Sequence, residues 1–445
     1  MVVLLISTYE LGRQPFGLAS PAAWLRRAGA EVRCIDLSRE PLDPAAIVAA
    51  GLVAIHLPMH TATRLAAPVI ERVRRDNPAA RVAVYGLYAP LNAEYLRALG
   101  VHVVLGPEAE ADLVALASGT DGAATPRALP RLPFITPDRA GLPALTSYAS
   151  LHLATGARRT VGYTEATRGC KHRCRHCPIV PVYDGQFRVV AVDAVLGDIR
   201  AQVAAGAQHV TFGDPDFLNG PAHARRIVEA LAREWPALTF DVVIKIEHIL
   251  RHRELMPVLR DSGCLFVTSA VESVDDRVLA RLEKGHTRAD FEAAASWLRE
   301  IRLPLVPTFV AFTPWTTIAT YVEMLDAIER LDLVDHVAPV QLGIRLLIPN
   351  GSRLLELAEI GARIGAFDAR QLAYTWTHVD PEVDALQREV MALVGGRLTA
   401  PRATIFGAVR ALLDERTGLS REPLPPQPPR VDRAAVPYLD EPWYC

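Results

Sequence analysis

The chain has 445 residues, of which half are apolar and 22% are charged, so we expect a soluble globular protein with more than one domain. Its net charge of −2 gives no electrostatic sign of a nucleic-acid partner or of an anionic membrane surface, and no apolar run approaches the roughly 18 residues of a membrane span. Only six cysteines and an opening without a basic leader predict a cytoplasmic protein rather than a secreted, disulfide-linked one.

Residues 1–118 alternate short apolar runs with amphipathic stretches, which predicts an α/β domain with a doubly wound, Rossmann-like parallel sheet. The predicted strands are Val2–Ser7, Glu31–Asp36, Leu52–Leu57, Arg81–Gly86 and Val101–Gly106. Ligands of such sheets bind at the carboxyl ends of the strands. The candidate binding residues at those ends are Thr8, Tyr9, Glu10, Leu11, Gly12, Pro58, Gly86, Leu87, Tyr88, Gly106 and Glu108. No GxGxxG follows the first strand, which disfavours a nicotinamide dinucleotide, and a sheet kept only for packing or dimerisation is the alternative.

Residues 119–155 are rich in proline and predict an extended linker to a second α/β domain over residues 156–355. Its predicted strands are Val161–Ala166, His209–Phe212, Leu238–Ile246, Leu265–Val271, Leu305–Phe312 and Val337–Leu347. Six strand–helix units are too few for a closed eight-stranded barrel and predict an open, partial (β/α)6 barrel of the TIM type. Residues 356–445 predict a helical extension with a proline-rich tail. The first predicted helix, Ser352–Ile364, starts just before this region.

Three of the six cysteines, Cys170, Cys174 and Cys177, follow the first predicted barrel strand with the spacing CxxxCxxC. Three thiolates from one short loop suit an iron–sulfur cluster that keeps one iron without a protein ligand. The alternatives are chance clustering or a zinc site, which needs a fourth ligand such as His172 or His176.

This spacing after a first barrel strand resembles the signature of radical S-adenosylmethionine (SAM) enzymes. The resemblance implies a 4Fe–4S cluster on the three cysteines, with SAM bound at the open iron. It further implies SAM contacts at His176, Gly213, Asp214, Asp216, Glu272, Ser273, Arg345 and Ile348. Gly213-Asp214-Pro215-Asp216 departs from the common Gly-Gly-Glu motif, and capping of a helix is the alternative role for its two acids.

The order of a five-stranded domain, a linker and a radical SAM barrel resembles the cobalamin-binding class of this superfamily. The resemblance implies that the strand-end residues of the first domain cradle a corrin ring. A DxHxxG motif is missing, so no histidine is offered as a lower cobalt ligand in the usual way. The class also implies an electron donor such as flavodoxin or ferredoxin.

The last residues, Tyr438 to Cys445, resemble the tail of a radical SAM family whose members end in CUAEP or CCAEP, where U is selenocysteine. We therefore expect that a selenocysteine codon follows Cys445 and that this cysteine has a redox or substrate role. The alternative is an ordinary disordered end of the chain with a stray cysteine. Placement near strand ends adds Lys245 and Thr308 as candidate substrate residues.

Together these features and resemblances predict a radical SAM enzyme that uses a 4Fe–4S cluster and cobalamin and acts as a radical methyltransferase. One alternative is a corrin-free radical SAM enzyme that acts on a selenium, arsenic or sulfur substrate with help from the tail. Another, of a different class, is a zinc- or cluster-bearing redox sensor or binding protein. The sequence leaves open whether the substrate is a small molecule or a peptide.

Overall fold

The computed structural model describes residues 1–120, 129–418 and 433–440, so Cys445 and its expected role lie outside the described residues. The first domain comprises β1 (Val2–Ser7), α1 (Phe16–Arg27), β2 (Glu31–Asp36), α2 (Pro44–Ala49), β3 (Leu52–His56), α3 (His60–Asp76), β4 (Arg81–Tyr85), α4 (Tyr88–Leu91), α5 (Ala93–Ala98), β5 (Val103–Val104) and α6 (Glu110–Ser118). The five strands form a parallel sheet in the order β2-β1-β3-β4-β5, which confirms the predicted doubly wound domain.

Both faces of this sheet are buried because helices cover each side. Successive residues of β1 enter different cores: Leu4 packs on the side of Ile70 in α3, and Leu5 packs on the side of Leu18 in α1. This double burial explains the continuous apolar runs of the sequence and sends all five carboxyl ends to one edge.

Helix α1 begins at Phe16 and contains Pro21 in its interior. A proline within a helix cannot donate a hydrogen bond to the carbonyl four residues earlier. The structure compensates for this loss, since the Tyr85 hydroxyl donates to the Gly17 carbonyl at 2.7 Å.

The second part of the chain contains β6 (Ser150–His152), β7 (Arg158–Thr164), β8 (Thr167–Gly169), α7 (Val180–Tyr183), β9 (Phe187–Val189), α8 (Val192–Ala204), β10 (His209–Phe212), α9 (Pro221–Glu234), β11 (Thr239–Val243), α10 (Ile246–Arg251), α11 (Leu255–Asp261), β12 (Cys264–Glu272), α12 (Asp276–Arg281), α13 (Arg288–Glu300), β13 (Leu305–Phe309), α14 (Ile318–Arg330), α15 (Ala358–Gly361), β14 (Ile364–Asp368), β15 (Ala373–Trp376), α16 (Pro381–Gly395), α17 (Arg402–Thr417) and β16 (Tyr438–Leu439). Its main sheet has the order β13-β12-β11-β10-β7-β6-β16. The run from β7 to β13 is parallel and forms the open barrel, while β6 and β16 add to its edge as antiparallel strands.

The predicted sixth barrel strand, Val337–Leu347, is not formed. Its place holds a 3-10 helix over Pro339–Leu342 and a single parallel bridge between Phe312 and Arg345. Pro339 lacks the N–H that a ladder needs, and the chain turns at Gly343, so only one residue reaches the neighbouring strand.

The predicted helix Ser352–Ile364 is also wrong in part, because a 3-10 helix over Arg353–Glu356 and the short α15 precede an antiparallel hairpin of β14 and β15. Helices α16 and α17 then complete the predicted helical extension. None of the helices in the described ranges is both long and apolar enough to cross a membrane.

Candidate active site

The cysteine loop, residues 170–177, lies between β8 and α7 at the carboxyl end of the first barrel strand. Three separate parts of the chain hold its backbone. The Asn219 side chain accepts from the Lys171 N–H at 3.2 Å, and the Leu282 carbonyl accepts from the Arg175 N–H at 2.9 Å. The Arg353 guanidinium donates to the Arg173 carbonyl at 2.6 Å. The loop is therefore positioned by the barrel as a whole, as a rigid metal site requires.

None of the three cysteines forms a disulfide; Cys170 and Cys174 are buried, and Cys177 is half-buried. Burial raises the pKa of Cys170 to about 11 and that of Cys177 to about 12. At neutral pH such thiols become thiolates when a metal binds them. Lys245 Nζ lies 3.8 Å from Cys174 Sγ and offers a positive charge next to the sulfur.

Glu272, at the end of β12, is the centre of a buried ion-pair group beside this loop. Its carboxylate accepts from His176 Nε2 at 3.1 Å and from Lys284 Nζ at 3.3 Å. Burial alone would raise the pKa of Glu272, but the neighbouring Lys284 and His176 lower it to about 2. The structure thus brings together two residues that the resemblance assigned to SAM, His176 and Glu272.

The next strand end, after β10, gives the two predicted acids structural partners. Asp214 accepts from the Ala166 N–H at 2.9 Å and from the Thr167 hydroxyl at 2.6 Å, which fixes the turn before β8. Burial raises the pKa of Asp214 to about 7. Asp216 caps a 3-10 turn through the Leu218 N–H at 3.0 Å. The alternative role of capping is therefore realised at Asp216, and the SAM contacts of both acids stay predictions.

Gly213 precedes these acids and leaves no room for a side chain, because an added Cβ would lie 1.7 Å from the Tyr163 hydroxyl oxygen. A glycine at this position lets the end of β10 pass close to β7.

Three other residues predicted to bind SAM make their contacts with parts of the chain other than the cysteine loop. The Ser273 hydroxyl accepts from the Asp275 N–H at the start of α12. Arg345 pairs with Asp384 of α16 at 2.6 Å and covers the Trp376 ring, and Ile348 packs in the same apolar cluster as Trp376. Their role in binding SAM stays a prediction.

Two buried histidines near the loop were not among the predicted site residues. His286 is 6% exposed, and neither of its ring nitrogens has a hydrogen-bond partner among the described residues. Burial, Lys284 and Lys245 lower the pKa of His286 to about 4, so it is neutral at pH 7. His248 lies with Nδ1 2.7 Å from Asp216 Oδ2 and Nε2 3.2 Å from His172 Nε2. His248 follows the predicted strand Leu238–Ile246, so placement at a strand end is the sequence signal that points to it.

A cavity of about 300 Å³ separates the two sheets at their carboxyl ends. On the side of the first domain it is lined by five predicted binding residues, Glu10, Leu11, Pro58, Gly86 and Leu87, and also by their neighbours at the same strand ends, His56, Met59, Tyr85 and Pro107. On the barrel side it is lined by Arg168, Gly169 and Ile179, which flank the cysteine loop, and by Gly213 at the end of β10.

The other predicted residues of this edge do not line that cavity. Thr8 and Tyr88 are buried, and the Thr8 hydroxyl donates to the Ala62 carbonyl at 2.8 Å. Glu108 accepts from the Tyr183 hydroxyl at 2.8 Å. Tyr9, Gly12 and Gly106 are likewise outside the lining. Of the predicted substrate residues, Lys245 is at the cluster loop, and Thr308 lines a different cavity inside the barrel.

His56, at the end of β3, faces the cavity but already has two partners. Its Nδ1 lies 2.7 Å from Glu10 Oε1, and its ring lies 5.1 Å from that of Tyr85. The ring also explains Gly17, because a Cβ there would lie 1.9 Å from His56 Cε1.

Arg168 joins the two domains beside the cavity through a buried network. Its guanidinium donates to Glu110 at 2.7 Å and to Glu108 at 3.3 Å, both from the first domain, and to Glu165 at 2.9 Å. It also lies 4.7 Å from the Phe134 ring centroid. A buried guanidinium with several carboxylates fixes relative position strongly.

Comparison with known proteins supports the assignment of the barrel. Residues 164–331 match the family model described as the Radical SAM superfamily. The tRNA-2-methylthio-N(6)-dimethylallyladenosine synthase of Desulfosudis oleivorans is 27% identical over 201 residues, which is 41% of each chain. The alignment thus spans about two fifths of that relative's length.

Solved structures share the whole arrangement of domains. The cobalamin-dependent SAM radical enzyme OxsB, with aqua-cobalamin and SAM bound, aligns with a TM-score of 0.71 at 14% identity, over 89% of this chain and 67% of its own. The radical SAM methyltransferase TsrM from Kitasatospora setae, with tryptophan and a SAM analogue, aligns with a TM-score of 0.66 at 18% identity, over 88% of each chain. The chain therefore contains a radical SAM domain, within a fold that it shares with cobalamin-dependent radical SAM enzymes.

Proposed function

We propose that the protein is a radical SAM enzyme that holds a 4Fe–4S cluster on Cys170, Cys174 and Cys177 and binds cobalamin between its two domains. The observation that carries this proposal is the cavity of about 300 Å³, which has strand ends of the first domain on one side and the flanks of the cysteine loop on the other. A corrin on the first-domain side and SAM at the cluster would both face that space, so a substrate bound between them would be within reach of both.

The residues around the cysteine loop fit the cluster. Three thiols come from one loop, and Lys245 and Lys284 place positive charge near them. Hydrogen bonds and charges near the sulfurs tune the potential of such a cluster. When bound, it supplies the electron that splits SAM into methionine and a 5′-deoxyadenosyl radical, and we propose a flavodoxin- or ferredoxin-type donor for its reduction.

The sheet side of the cavity fits the flat face of a macrocycle. Leu11, Pro58 and Leu87 provide an apolar wall. Gly86, with φ of 113°, turns the chain where a Cβ would lie 2.7 Å from the Leu57 carbonyl oxygen. The cavity is smaller than a whole cobalamin and would seat the part that faces the cysteine loop. We propose methyl transfer to carbon or phosphorus as the reaction, since a corrin supplies a transferable methyl group when bound.

Anaerobic reconstitution with iron and sulfide tests the cluster. We expect about four iron atoms per chain and formation of 5′-deoxyadenosine from SAM under a strong reductant. The variant Cys177→Ala should lose both properties, whereas Cys264→Ala, which removes a buried cysteine elsewhere in the barrel, should keep them. A colourless zinc protein that leaves SAM intact would end the proposal.

Corrin binding is tested separately by desalting the protein after incubation with hydroxocobalamin. Retention of about one corrin per chain supports the proposed cofactor set for this fold. Formation of S-adenosylhomocysteine next to 5′-deoxyadenosine would indicate methylation. A cluster-bearing protein that cleaves SAM but retains no corrin would instead favour the corrin-free alternative.

A further inference from the structure

A second cavity, of about 130 Å³, lies inside the barrel and is closed by the C-terminal part of the chain. Its walls include Phe266 and Thr268 of β12 and Thr308 of β13. The closing side consists of the first residue of α17, Arg402, and the segment 433–440. This volume is large enough for several water molecules or a small organic molecule.

The segment 433–440 is fastened to the barrel edge. Tyr438 and Leu439 pair with β6, and Asp440 accepts from the Ser150 N–H at 2.9 Å and from the Ser150 hydroxyl at 2.8 Å. Asp440 also lies 3.1 Å from His152 Nε2. The cavity wall on this side is therefore built structure rather than a loose end.

Arg402 is 8% exposed, yet no carboxylate pairs with it among the described residues. Its Nη1 donates to the backbone carbonyls of Asp335 at 2.8 Å and His336 at 3.3 Å. Its guanidinium carbon lies 5.1 Å from the Tyr438 ring centroid. Burial and the nearby charge of Arg433 lower the pKa of Arg402 to about 10. The charged guanidinium is therefore less stable at this position than it would be in water.

The acids that line this cavity are already engaged. Asp241 accepts from the Thr211 hydroxyl at 2.6 Å and lies 2.9 Å from His209 Nε2. Asp440 is held by Ser150 and His152. Within the part of the chain that the structure describes, no carboxylate of this cavity is therefore left to pair with Arg402.

Arg410, on the same helix, shows the usual solution for a buried arginine. It is 5% exposed and pairs with Asp326 at 2.6 Å and Glu329 at 2.7 Å. The difference between the two arginines is that Arg402 faces a cavity, and Arg410 faces carboxylates of α14.

The inner cavity also adjoins the interdomain cavity, because Arg13 lines both of them. The guanidinium carbon of Arg13 lies 4.8 Å from the Tyr163 ring centroid, between the first domain and β7. A molecule bound at Arg402 would therefore extend toward the space proposed for the cofactors.

We propose that Arg402 binds the oxyanion group, a carboxylate or a phosphate, of a small substrate that occupies the barrel cavity. An oxyanion would neutralise the buried guanidinium through charge-assisted hydrogen bonds. The hydroxyls of Thr268 and Thr308 and the Phe266 ring would contact the rest of the molecule. That this molecule is the substrate rests on the proposed function; that an oxyanion binds here does not.

The test compares thermal unfolding of the reconstituted full-length protein with its variants Arg402→Met and Arg410→Met. Without added anion, we expect Arg402→Met to melt at the same or a higher temperature than the wild type, because it removes an uncompensated buried charge. Arg410→Met should melt lower, because it removes the buried guanidinium's ion pairs with Asp326 and Glu329. If the melting temperature of Arg402→Met fell as far as that of Arg410→Met, Arg402 could not be a buried charge without an ion-pair partner.

Sodium acetate and sodium phosphate are then added at millimolar concentration, with sodium chloride at equal ionic strength as the reference. We expect at least one of these oxyanions to raise the melting temperature of the wild type and of Arg410→Met by a few degrees, as ligand linkage requires, but not that of Arg402→Met. A response to acetate alone supports a carboxylate substrate, and a response to phosphate alone supports a phosphorylated one.

Equal shifts in the wild type and Arg402→Met, or no shift with either anion, would overturn the proposal. Substrate-free cleavage of SAM by the wild type is measured on the same preparation. If SAM is not cleaved but the anion response depends on Arg402, the proposed function fails and the anion site stands.

Discussion

Gly169, the last residue before the cysteine loop, shows how a single position can limit a metal site. Its φ is +76°, and an added Cβ would lie 2.4 Å from the Tyr183 ring and 2.6 Å from the Gln186 carbonyl oxygen. We predict that Gly169→Ala displaces the loop and reduces the iron bound on reconstitution to less than half of the wild-type value. Iron content per chain measures this effect.

The matched control is Gly206→Ala, in the turn between α8 and β10. Gly206 has a φ of +97°, but an added Cβ would meet no atom within 4 Å. This change should cost about 1–2 kcal/mol of stability through backbone strain alone and leave iron binding intact. If Gly169→Ala and Gly206→Ala lost iron equally, backbone strain and not the contact with Tyr183 would explain the reduced iron binding.

Glu165 provides a prediction of pH dependence. Burial raises its pKa from 4.5 to about 7, although Arg168 partly offsets the rise. The folded protein therefore holds a proton that the unfolded chain releases between pH 4.5 and 7, so this residue makes stability fall as pH rises through that window. For one proton the slope reaches at most about 1.4 kcal/mol per pH unit.

The variant Glu165→Gln should remove this part of the pH dependence. Urea midpoints of the wild type and the variant at pH 5, 6 and 7 measure it, and the difference between the two profiles isolates Glu165 from other groups. Parallel profiles would contradict the raised pKa.

Among the strands and helices, the local sequence pattern predicted those elements whose residues are buried according to their own apolar character. The bounds of β1, β2 and β10 are those predicted. Strands β1 and β10 are short runs buried on both faces, whereas in β2 only Cys34, Ile35 and Asp36 are buried. The hairpin of β14 and β15, the pairing of β16 with β6 and the missing sixth strand depend on contacts between distant residues. Pattern within a few residues does not encode such contacts.

The same limit applies to the site. The spacing of the cysteines located the loop, and strand-end placement located Asp214 and Glu272. Their partners could not be predicted, since Asp214 binds a turn 47 and 48 residues away, and Arg402 and β16 reach the barrel from the far end of the chain. The carbonyls that hold Arg402 are 66 and 67 residues from it.

The hydrogen-bond network of Arg168 joins the loop before α6 to β8, so its removal should lower the stability of the folded chain. Arg168→Met would leave the carboxylates of Glu108 and Glu110, each 2% exposed, without their cation. We expect a loss of about 3–5 kcal/mol in the free energy of unfolding, the usual result of breaking a buried ion pair from one side. Chemical denaturation measures it.

Arg200→Met is the control, since Arg200 pairs with Glu234 at 2.7 Å on the surface of α8. The free energy of unfolding of Arg200→Met should be less than about 1 kcal/mol below that of the wild type. Similar losses in the two variants would mean that the network between the domains contributes no more than an exposed pair.

In the whole molecule, two parallel sheets direct their carboxyl ends at a shared space. The flanks of the cysteine loop and the first-domain strand ends line it, Arg168 lies on one side with Glu110 and Glu165, and Arg13 lines both this space and the barrel cavity. Each domain alone would expose its strand ends to solvent. The functional space therefore exists only in the assembled chain, and a change on the wall of one domain should affect one proposed ligand without affecting the other.

Leu87 offers that test, because it lines the cavity from the first domain and lies outside the cysteine loop. Leu87→Trp would fill part of the space with an indole ring, so we expect corrin retention after desalting to fall at least tenfold while iron content per chain is unchanged. Leu65→Trp, on the exposed face of α3 at 47% exposure, is the control and should retain corrin as the wild type does. Unchanged corrin retention in Leu87→Trp would place the corrin elsewhere, whereas a parallel loss of iron would mean that the ring disturbs the cysteine loop across the cavity.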